Sequence, residues 1–562
     1  MLSTDKLSCN ILADLLVAHG VKHVVLSPGS RNAPLIVALN RRGELTCHVV
    51  IDERSAAFIA LGMSVQSCEP VAVVCTSGTA LLNYAPAVAE AFYRRVPLIV
   101  ISADRPEEWI DQDDSQTIWQ QDALAPYVKR SCDISARIDF PNGPWWTDRI
   151  VNDAILEALS GRRGPVHINV RLDAPLNGSA QYPAGSARVI ESIAPRDELP
   201  VVEARRLGTM LASPKKIMIL AGFDSPDEKL NRALGRLADL PNVVVLTETL
   251  ANLHSPKFVS RIDSTLCRMT AEEKERLLPD VVITTGGALV SRFVKEWLRS
   301  AAHLEHWHIG ASHTTIDCFR HLSLRVELRP AIFMSQLASA MQPHRTPSEY
   351  ATEWRALSTR AAKCHDRYVA ASPWSDLKAL AYIFDRIPRT WNLHLSNGTP
   401  VRYAQLMDCS HIHRSDCNRG VSGIDGSTST ALGASAIYRG TTLLVSGDMS
   451  FQYDISALSS TLVTPRFKII VMVNGGGGIF RFIGSTSSLP ELEKYFAVGT
   501  RLPLEGLAKA YDMAYFSASS IDELPEAFRA FADESARPAI LAIHTDPHTT
   551  ADTLKDYFKN EN

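Results

Sequence analysis

The chain has 562 residues, which is too long for one hydrophobic core and predicts roughly three or four domains. Its 58 Lys and Arg residues nearly balance its 61 Asp and Glu residues, so we expect no nucleic-acid partner bound through bulk positive charge. Hydrophobic residues make up 46% of the chain and charged residues 21%, which is typical of a globular protein and excludes a disordered one.

Membrane and secretory features are not expected either. No stretch of the sequence approaches the roughly 20 apolar residues that a membrane span needs. The segment from Met1 to Lys6 lacks the basic and apolar regions of a signal peptide. The ten cysteines have no CxxC spacing, so a zinc or iron–sulfur site is not expected, and Cys75 lies in an apolar run, as reduced buried thiols do. We therefore expect a cytoplasmic protein.

Short apolar runs alternate with amphipathic segments over the first 180 residues. Strands are predicted at 21–26, 47–51, 71–75, 97–103 and 167–170, and helices at 11–19, 34–39, 54–65 and 79–93. Strands that alternate with helices of this length predict a parallel sheet covered by helices on both faces.

The same alternation recurs twice after a polar, proline-containing linker predicted at 177–200. Strands are predicted at 216–222, 242–249, 280–287, 306–310 and 324–328, then a helical connection at 343–371, then strands at 391–398, 442–448, 467–474 and 538–546. The sequence therefore predicts an α/β protein of three doubly wound parallel-sheet domains, at 1–180, 195–345 and 365–562. In such sheets ligands bind beyond the carboxyl ends of the strands.

Two strand ends in the third domain carry the most informative pattern. One apolar strand runs into Asp448, and twenty-six residues later another ends at Asn474 and the glycines 475–478. A carboxylate and a carboxamide can bind one hard divalent cation through oxygen, while phosphate and water complete its shell. Glycines let backbone groups approach a diphosphate. Either half alone is typical of an ordinary turn after a strand, but the pair favours a diphosphate–metal site.

This spacing resembles the diphosphate–metal motif of thiamine-diphosphate enzymes. The resemblance implies that Asp448, Asn474 and Gly476 bind Mg²⁺ or Mn²⁺. That superfamily also needs an N-terminal glutamate, which matches Glu53 at a predicted helix start; the alternative role for Glu53 is a carboxylate favoured by the helix dipole. As the family's glutamate, Glu53 would bond N1′ of the aminopyrimidine and so promote loss of the proton from C2. The superfamily places this glutamate and the metal site on different subunits, which implies a homodimer or homotetramer with active sites between subunits.

Longer motifs spread over the whole chain narrow the resemblance. They are LSPGSRNAPL (26–35), IDERSAAFIALG (51–62), TSGTALLNYAPAVAEA (76–91), SADRPEE (102–108), NRGVSGIDGSTSTALG (418–433) and GDMSFQYD (447–454). They are similar to segments of the 2-succinyl-5-enolpyruvyl-6-hydroxy-3-cyclohexene-1-carboxylate synthases of menaquinone biosynthesis. Met449 agrees, since this family carries a larger apolar residue where most relatives carry glycine. The resemblance implies a pyrimidine-binding N-terminal domain, a central α/β domain and a C-terminal diphosphate- and metal-binding domain.

The family's reaction implies what the site must bind. Such a transferase decarboxylates 2-oxoglutarate on thiamine diphosphate and adds the succinyl carbanion to isochorismate, releasing CO₂. Both substrates carry carboxylates, so we expect several fixed cations, and arginine suits bidentate recognition of carboxylates. One arginine alone is most often a surface residue, whereas five in matching motifs favour a site. The residues in substrate-binding positions are Ser30, Arg31, Arg105, Gln116 and Arg292 on the isochorismate side, and Arg402 and Arg419 on the succinyl side.

The remaining implied contacts surround the cofactor. Ile424 resembles the apolar buttress that holds the cofactor bent, a role that is compatible with an ordinary core position. Ile479 and Phe480 would wall the thiazolium, and low polarity there favours neutral over charged species. The other residues implied to contact the cofactor are Gly447, Met449, Ser450, Asn474 and Gly476.

Three positions depart from the family pattern. Arg292 stands where many relatives carry lysine, which keeps the charge but changes its geometry. Gly398 replaces a serine that contacts substrate in relatives, and either the hydroxyl of the neighbouring Thr399 or a water molecule could replace that contact. Asn474 is followed by Gly475, where an Asn-Asn pair is common. We expect these changes to affect substrate affinity, with activity retained.

Two other functions compete with this one. A simpler thiamine-diphosphate 2-oxoacid decarboxylase or an acetohydroxyacid synthase would explain Glu53, Asp448 and Asn474, but neither the arginines nor the motif at 418–433. A catalytically silent paralogue would be favoured by loss of Glu53 or Asp448, and both are present.

Overall fold

The computed structural model of the chain describes residues 1–194, 197–211, 215–341, 348–499 and 501–559. The parts of the predicted linker, connection and domains that fall at 195–196, 212–214, 342–347, 500 and 560–562 lie outside the described residues. The described residues form three parallel sheets flanked by helices, which confirms the predicted fold class. No helix in the described part of the chain combines the length and the apolar character needed to cross a membrane.

The first 194 residues form a six-stranded parallel sheet and a two-stranded antiparallel ribbon. The strands are β1 (Leu2–Thr4), β2 (His23–Leu26), β3 (Thr46–Val49), β4 (Val71–Cys75), β5 (Leu98–Asp104), β6 (Ser131–Ile134), β7 (Val166–Arg171) and β8 (Ser179–Gln181). The helices are α1 (Leu7–Ala18), α2 (Ala33–Asn40), α3 (Glu53–Ser67), α4 (Ala80–Asn83), α5 (Ala85–Arg94) and α6 (Gly143–Leu159). The sheet order is β3-β2-β4-β5-β7-β6, and β1 pairs with β8. Apolar residues of α1, α2 and α6 share a core with this sheet.

Two predicted elements of this region are wrong in detail. The helix predicted over 79–93 is broken at Tyr84 into α4 and α5, because Pro86 in the first turn of α5 has no amide hydrogen with which to continue a helix. The linker predicted over 177–200 contains strand β8, which pairs antiparallel with β1.

The central region carries a five-stranded parallel sheet in the order β10-β9-β11-β12-β13. Its strands are β9 (Ile217–Ala221), β10 (Val243–Thr247), β11 (Val281–Thr285), β12 (Glu305–Ile309) and β13 (Leu322–Val326). Its helices are α7 (Val201–Leu211), α8 (Glu228–Leu237), α9 (Ile262–Leu266), α10 (Ala271–Arg276), α11 (Arg292–Arg299), α12 (Pro330–Ala340) and α13 (Tyr350–Ala371). Ile217 and Ile219 belong to the core on one face, and Met218 and Leu220 to the core on the other. Burial on both faces explains why these strands read as continuous apolar runs.

The C-terminal region carries a six-stranded sheet in the order β15-β14-β16-β17-β19-β18. Its strands are β14 (Asn392–Leu395), β15 (Arg414–Cys417), β16 (Thr442–Gly447), β17 (Phe467–Val473), β18 (Ala514–Ala518) and β19 (Ala539–His544). Its helices are α14 (Asp376–Phe384), α15 (Pro400–Ala404), α16 (Ser427–Ile437), α17 (Asp448–Tyr453), α18 (Gly478–Phe482), α19 (Gly484–Ser487), α20 (Leu504–Ala510), α21 (Leu524–Asp533) and α22 (Pro547–Lys559). A π-helical turn occupies Leu492–Ala497.

The chain packs into two compact units that are not continuous in sequence. The first unit comprises Met1–Ala194, Asn418–Thr442 and Phe451–Phe467, and the second comprises Pro195–Cys417, Leu443–Ser450 and Lys468–Asn562. Helix α16 therefore belongs to the first unit, although the chain reaches it from the C-terminal sheet. The predicted domain limits at 1–180, 195–345 and 365–562 stay a prediction.

Helices α3 and α16 of the first unit pack in direct backbone contact. Residues 55–65 of α3 and 427–435 of α16 are all buried, as expected of helices enclosed on every side. A Cβ atom on Gly62 would lie 2.0 Å from the carbonyl oxygen of Thr430, and one on Gly433 would lie 2.0 Å from that of Ile59. Only glycine permits this approach at either position. Since Glu53 begins α3, the contact also supports the helix that presents Glu53.

We expect Gly433→Ala to lower the free energy of unfolding by about 2 kcal/mol, because the added methyl group overlaps a backbone carbonyl that cannot move freely. Chemical denaturation of the purified chain measures this change. The matched control is Gly235→Ala in α8, where no described heavy atom beyond the neighbouring residues and the helix's own backbone lies within 4 Å of the Cβ position; it should stabilise by roughly 0.5–1 kcal/mol. Equal losses in the two variants would contradict the packing argument.

Candidate active site

Glu53 is the first residue of α3 and is half-buried. The preceding Asp52 caps the helix, since its carboxylate accepts a hydrogen bond from the amide of Ser55 at 3.3 Å. Burial raises the pKa of the Cys75 thiol, and the Glu53 carboxylate raises it further. The carboxylate therefore lies near the carboxyl end of β4, at the sheet edge where ligands of this fold bind.

Arg31 and Arg105 lie beyond the ends of β2 and β5 and are both half-buried. Arg31 donates a hydrogen bond from Nη1 to the carbonyl oxygen of Leu172 at 3.0 Å. Burial lowers the pKa of Arg31, and the charge of Arg105 lowers it further. Arg105 itself pairs with Asp114. Two guanidinium groups that repel each other at one sheet edge suit an anionic ligand that contacts both.

Ser30 and Gln116, the two neutral residues predicted beside these arginines, are both exposed. Gln116 has a left-handed backbone with φ of 56°. A Cβ atom on Gly78 would lie 3.4 Å from its Cα atom. The loop that carries Gln116 therefore packs on the turn after β4.

A buried polar network beneath Arg105 was not predicted from the sequence. The carboxylate of Asp104 accepts hydrogen bonds from the Arg105 amide at 2.8 Å and from Asn169 Nδ2 at 2.8 Å. Asn169 Oδ1 accepts from Gln120 Nε2 at 2.9 Å, and Gln120 Oε1 accepts from the Gly78 amide at 2.7 Å. The network therefore fixes the backbone after β4 and after β5 together. No local motif marks it, because its members come from four separate segments.

The turn 418–426, which precedes α16 in the first unit, carries Arg419 and Ile424, both half-buried. Asn418 Nδ2 donates to the Thr430 hydroxyl at 3.0 Å. Gly426 has φ of +70°, and a Cβ atom there would lie 2.2 Å from the ring of Phe58. The turn is therefore anchored at both of its ends.

In the second unit, Asp448 and the turn after β17 are joined by backbone hydrogen bonds. Asp448 Oδ2 accepts from the Gly476 amide at 2.9 Å, and Oδ1 accepts from the Met449 amide at 2.8 Å. Asp448 is 3% exposed, and burial raises its pKa while the surrounding amides lower it. Gly447 precedes it at the end of β16, and Ser450 beyond it is buried. The structure thus brings both halves of the predicted metal motif together.

The glycine turn has no room for side chains at two of its positions. Gly475, Gly476 and Gly477 have φ of +77°, +78° and +28°. A Cβ atom on Gly476 would lie 2.5 Å from the carbonyl oxygens of Ala497 and Val498. The amide of Gly476 donates to Asp448 Oδ2 at 2.9 Å and that of Gly477 to Met449 Sδ at 2.7 Å, so this conformation closes the turn onto the residues after β16.

Asn474 is oriented by a carboxylate far away in sequence. Its Nδ2 atom donates to Asp376 Oδ2 at 2.7 Å, and Thr545 donates to Asp376 Oδ1 at 2.6 Å. Asp376 is fully buried, which raises its pKa to about 6, while Thr545 and Asn474 oppose that shift. Because the amide nitrogen of Asn474 is bound by Asp376, its amide oxygen remains the atom suited to a cation.

Arg481 is a further residue of this turn that sequence reasoning missed. It is 5% exposed and donates from Nη1 to the carbonyl oxygen of Gly476 at 3.2 Å. Its Nε and Nη2 atoms donate to the two carboxylate oxygens of Glu493 at 2.9 and 2.7 Å. Arg481 therefore links the glycine turn to the π-helical turn. Its place directly after Phe480 was a local signal that could have identified it.

Arg292 and Arg402 line one cavity of about 210 Å³ in the second unit. Asp263 lies on the same cavity, accepts a hydrogen bond from Ser291 and is near enough to Arg402 for that charge to lower its pKa. The apolar part of the lining consists of Phe293, Leu406, Phe482, Ile483, Leu554 and Phe558. The lining also includes Glu296, which pairs with Arg292 at 3.5 Å, so the two arginines share this cavity with two carboxylates and with an apolar wall that begins three residues after Ile479 in the chain.

The departure at Gly398 has a backbone explanation. Its φ is +102°, in the region that disfavours side chains, and it stands two residues before α15, the helix that carries Arg402. Thr399 next to it is buried, with 8% exposure.

Among the described residues, no group of three or more His, Cys, Asp and Glu side chains could hold a metal ion. The cation set suggested by the sequence instead combines one carboxylate, one amide oxygen and one carbonyl oxygen.

Comparison with known proteins finds relatives over the whole length. Residues 9–124 match the family described as thiamine pyrophosphate enzyme, N-terminal TPP binding domain. The chain is 41% identical over 562 residues to the 2-succinyl-5-enolpyruvyl-6-hydroxy-3-cyclohexene-1-carboxylate synthase of Porphyromonas gingivalis, covering 99% of this chain and 97% of that protein. It is 36% identical to the synthase of that name from Cytophaga hutchinsonii over 98% of each chain, and 35% identical to that of Bacteroides fragilis over 99% of each.

The pKa of Asp263 predicts a pH dependence of stability. Burial raises this pKa from 3.8 to about 6, so between about pH 4 and pH 6 the native state holds a proton that the unfolded state has lost. The contribution of Asp263 to stability therefore falls as the pH rises through this window and is constant above it. In Asp263→Asn, unfolding midpoints measured from pH 4 to pH 7 should fall less steeply with pH than in wild type. The control Asp366→Asn changes an exposed carboxyl of the same unit and should keep the wild-type slope.

Proposed function

The chain belongs to the 2-succinyl-5-enolpyruvyl-6-hydroxy-3-cyclohexene-1-carboxylate synthases, a family of thiamine-diphosphate-dependent transferases, and on that premise we propose that it decarboxylates 2-oxoglutarate and transfers the succinyl unit to isochorismate. The observation that carries this proposal is the cavity shared by Arg292 and Arg402. A decarboxylase of pyruvate needs no such pair of cations. Together with Arg31 and Arg105 at the N-terminal sheet edge, they match substrates that bring several carboxylates.

The residues present fit thiamine diphosphate and a divalent cation. Asp448, Asn474 and the carbonyl oxygen of Gly476 would hold Mg²⁺ or Mn²⁺, and the diphosphate would bind this cation beside the glycine turn. When bound, the cofactor supplies a carbon nucleophile and accepts the electron pair that decarboxylation releases. The residues proposed to contact it further are Glu53, Ile424, Gly447, Met449, Ser450, Ile479 and Phe480.

Each residue of the proposed active site has one task. The carboxyl group of Glu53 would lie beside the aminopyrimidine, where it would exchange a proton with N1′. Ile424 would support the cofactor with its apolar side chain, and Ile479 and Phe480 would exclude water from the thiazolium ring. Arg402 and Arg419 bind the carboxylate of the succinyl unit, with Gly398 and Thr399 beside it. On the isochorismate side the proposed ligands are Ser30, Arg31, Arg105, Gln116 and Arg292.

We also propose that the protein is a homodimer or homotetramer with its active sites between subunits. Val49 and Ile51, just before Glu53, are 56% and 79% exposed in the single chain. Large apolar side chains exposed next to a proposed catalytic carboxylate favour a partner surface there.

All ten cysteines are free, which supports a cytoplasmic, reducing location.

Product analysis tests the reaction. The purified chain with thiamine diphosphate, Mg²⁺, 2-oxoglutarate and isochorismate should release CO₂ and form a product with the mass of the succinylated adduct. Removal of divalent ions with a chelator should stop turnover, and Mg²⁺ or Mn²⁺ should restore it. Pyruvate in place of 2-oxoglutarate is the control; turnover with pyruvate alone would defeat the proposal in favour of a simpler decarboxylase.

Glu53→Gln tests the role of the carboxyl group. We expect turnover to fall by about 100-fold or more, since an amide cannot exchange the proton at N1′. Hydrogen–deuterium exchange at C2 of the bound cofactor should slow accordingly, while calorimetry should find cofactor affinity within about 3-fold of wild type. Glu69→Gln is the matched control, because Glu69 is partly exposed and pairs with surface Lys22 at 2.5 Å. Unchanged C2 exchange in Glu53→Gln would refute the assignment.

A further inference from the structure

Glu90 is a buried carboxylate that has no part in the proposed reaction. It lies in α5 of the first unit and is 2% exposed. Its Oε1 atom accepts a hydrogen bond from the amide of Gly420 at 2.7 Å, and its Oε2 atom accepts one from the amide of Val421 at 2.7 Å. Both oxygens therefore bind consecutive amides of the turn that carries Arg419.

The contact between α5 and this turn is close enough to require glycine. A Cβ atom on Gly420 would lie 2.7 Å from the carbonyl oxygen of Glu90. The backbone next to Arg419 thus rests directly on the helix. A side chain at 420 would push the turn away from the carboxylate.

Burial of Glu90 is unfavourable without these hydrogen bonds. Burial raises its pKa, whereas the charge of Arg94, the two amides and the charge of Arg419 lower it. The two amides stabilise the buried carboxylate of Glu90. Loss of either hydrogen bond would be unfavourable, because it would leave a buried oxygen without that donor. The geometry makes the position of the turn depend on Glu90.

Arg419 is consequently flanked by fixed backbone on both sides. On its N-terminal side, Asn418 donates to Thr430 Oγ1 at 3.0 Å. On its C-terminal side, Glu90 holds Gly420 and Val421. A long, flexible arginine side chain gains affinity for a carboxylate when its backbone is held in place before the ligand arrives.

We propose that Glu90 is a positioning residue that holds Arg419 for the distal carboxylate of 2-oxoglutarate. The inference rests on the proposed function, since that function gives Arg419 its ligand. Glu90 itself touches neither substrate nor cofactor in this scheme. Its effect is on the affinity for the 2-oxo acid, with no direct effect on isochorismate or on cofactor binding.

Glu90→Gln keeps the shape of the side chain but replaces one acceptor oxygen with an NH₂ group that faces an amide. We expect KM for 2-oxoglutarate to rise about 10-fold. KM for isochorismate and the calorimetric Kd of thiamine diphosphate should stay within about 2-fold of wild type. Gly420→Ala should give the same pattern from the other side of the contact, and it serves if Glu90→Gln does not fold.

Asp14→Asn is the matched control for a general loss of stability. Asp14 is a buried carboxylate of the same unit that accepts from the Tyr182 hydroxyl at 2.9 Å and from the amide of Ala187 at 3.2 Å. Its replacement should lower the unfolding midpoint without changing the ratio of the two KM values. An equal rise in KM for 2-oxoglutarate in Asp14→Asn would overturn the positioning role.

A double-mutant cycle with Arg419→Ala separates this inference from the proposed function. If Glu90 acts through Arg419, Glu90→Gln should raise KM in the wild-type background and have little further effect in Arg419→Ala. A rise of equal size in both backgrounds would overturn the inference alone. Unchanged KM in Glu90→Gln, beside a raised KM in Arg419→Ala, would do the same. Unchanged KM in Arg419→Ala would overturn both the ligand assigned to Arg419 and the positioning role.

Discussion

Close approach of backbone to a buried carboxylate is the constraint on which the candidate active site depends. Asp448 is removed from water and is stabilised by amides from its own helix start and from the glycine turn. These hydrogen bonds join the ends of β16 and β17, so the proposed cation ligands are held before any ligand binds. The same logic recurs at Asp376 and at Glu90, where buried carboxylates orient an amide side chain and a backbone turn.

Buried charge is therefore used in this protein to fix segments that are distant in sequence. Arg481 bonds the carbonyl of the glycine turn and the carboxylate of Glu493 at once. Asp104 does the same at the N-terminal sheet edge through Asn169 and the Arg105 amide. Each such group is costly to bury alone, and each is paired. Because these buried charged groups are fixed by their hydrogen bonds, they hold the arginines and glycines of the site in position before a ligand binds.

Apolar periodicity made the sheets predictable, whereas polar pairing did not. The strand predicted at 71–75 is β4 with the same limits, because every residue in it is buried and apolar. β15, with the sequence Arg-Ser-Asp-Cys, was not predicted, since its buried Arg414 and Asp416 pair with each other at 2.6 Å and leave no apolar run. The family was identified correctly from the motifs, as the full-length relatives confirm.

The site was predictable where ligands follow strands directly and unpredictable where support comes from afar. Asp448, Asn474 and the glycines are adjacent to apolar runs, so their place at the sheet edge could be inferred. Asp376 is 98 residues from Asn474, and no local pattern links them. Glu90 is 330 residues from Gly420. Both residues lie in motifs that identify the family, but neither motif indicates that they are in contact.

The three left-handed glycines of the turn after β17, at 475, 476 and 477, differ in the substitutions that they tolerate. Gly476 and Gly477 are closed to any side chain by carbonyl oxygens of the π-helical turn and its neighbour. At Gly475 the nearest atoms to a Cβ are side-chain carbons of Pro547 at 3.7 and 3.9 Å, so only the backbone conformation restricts the residue. Asparagine tolerates that conformation better than other side chains. Asparagine could therefore replace glycine at 475, whereas 476 and 477 admit glycine alone.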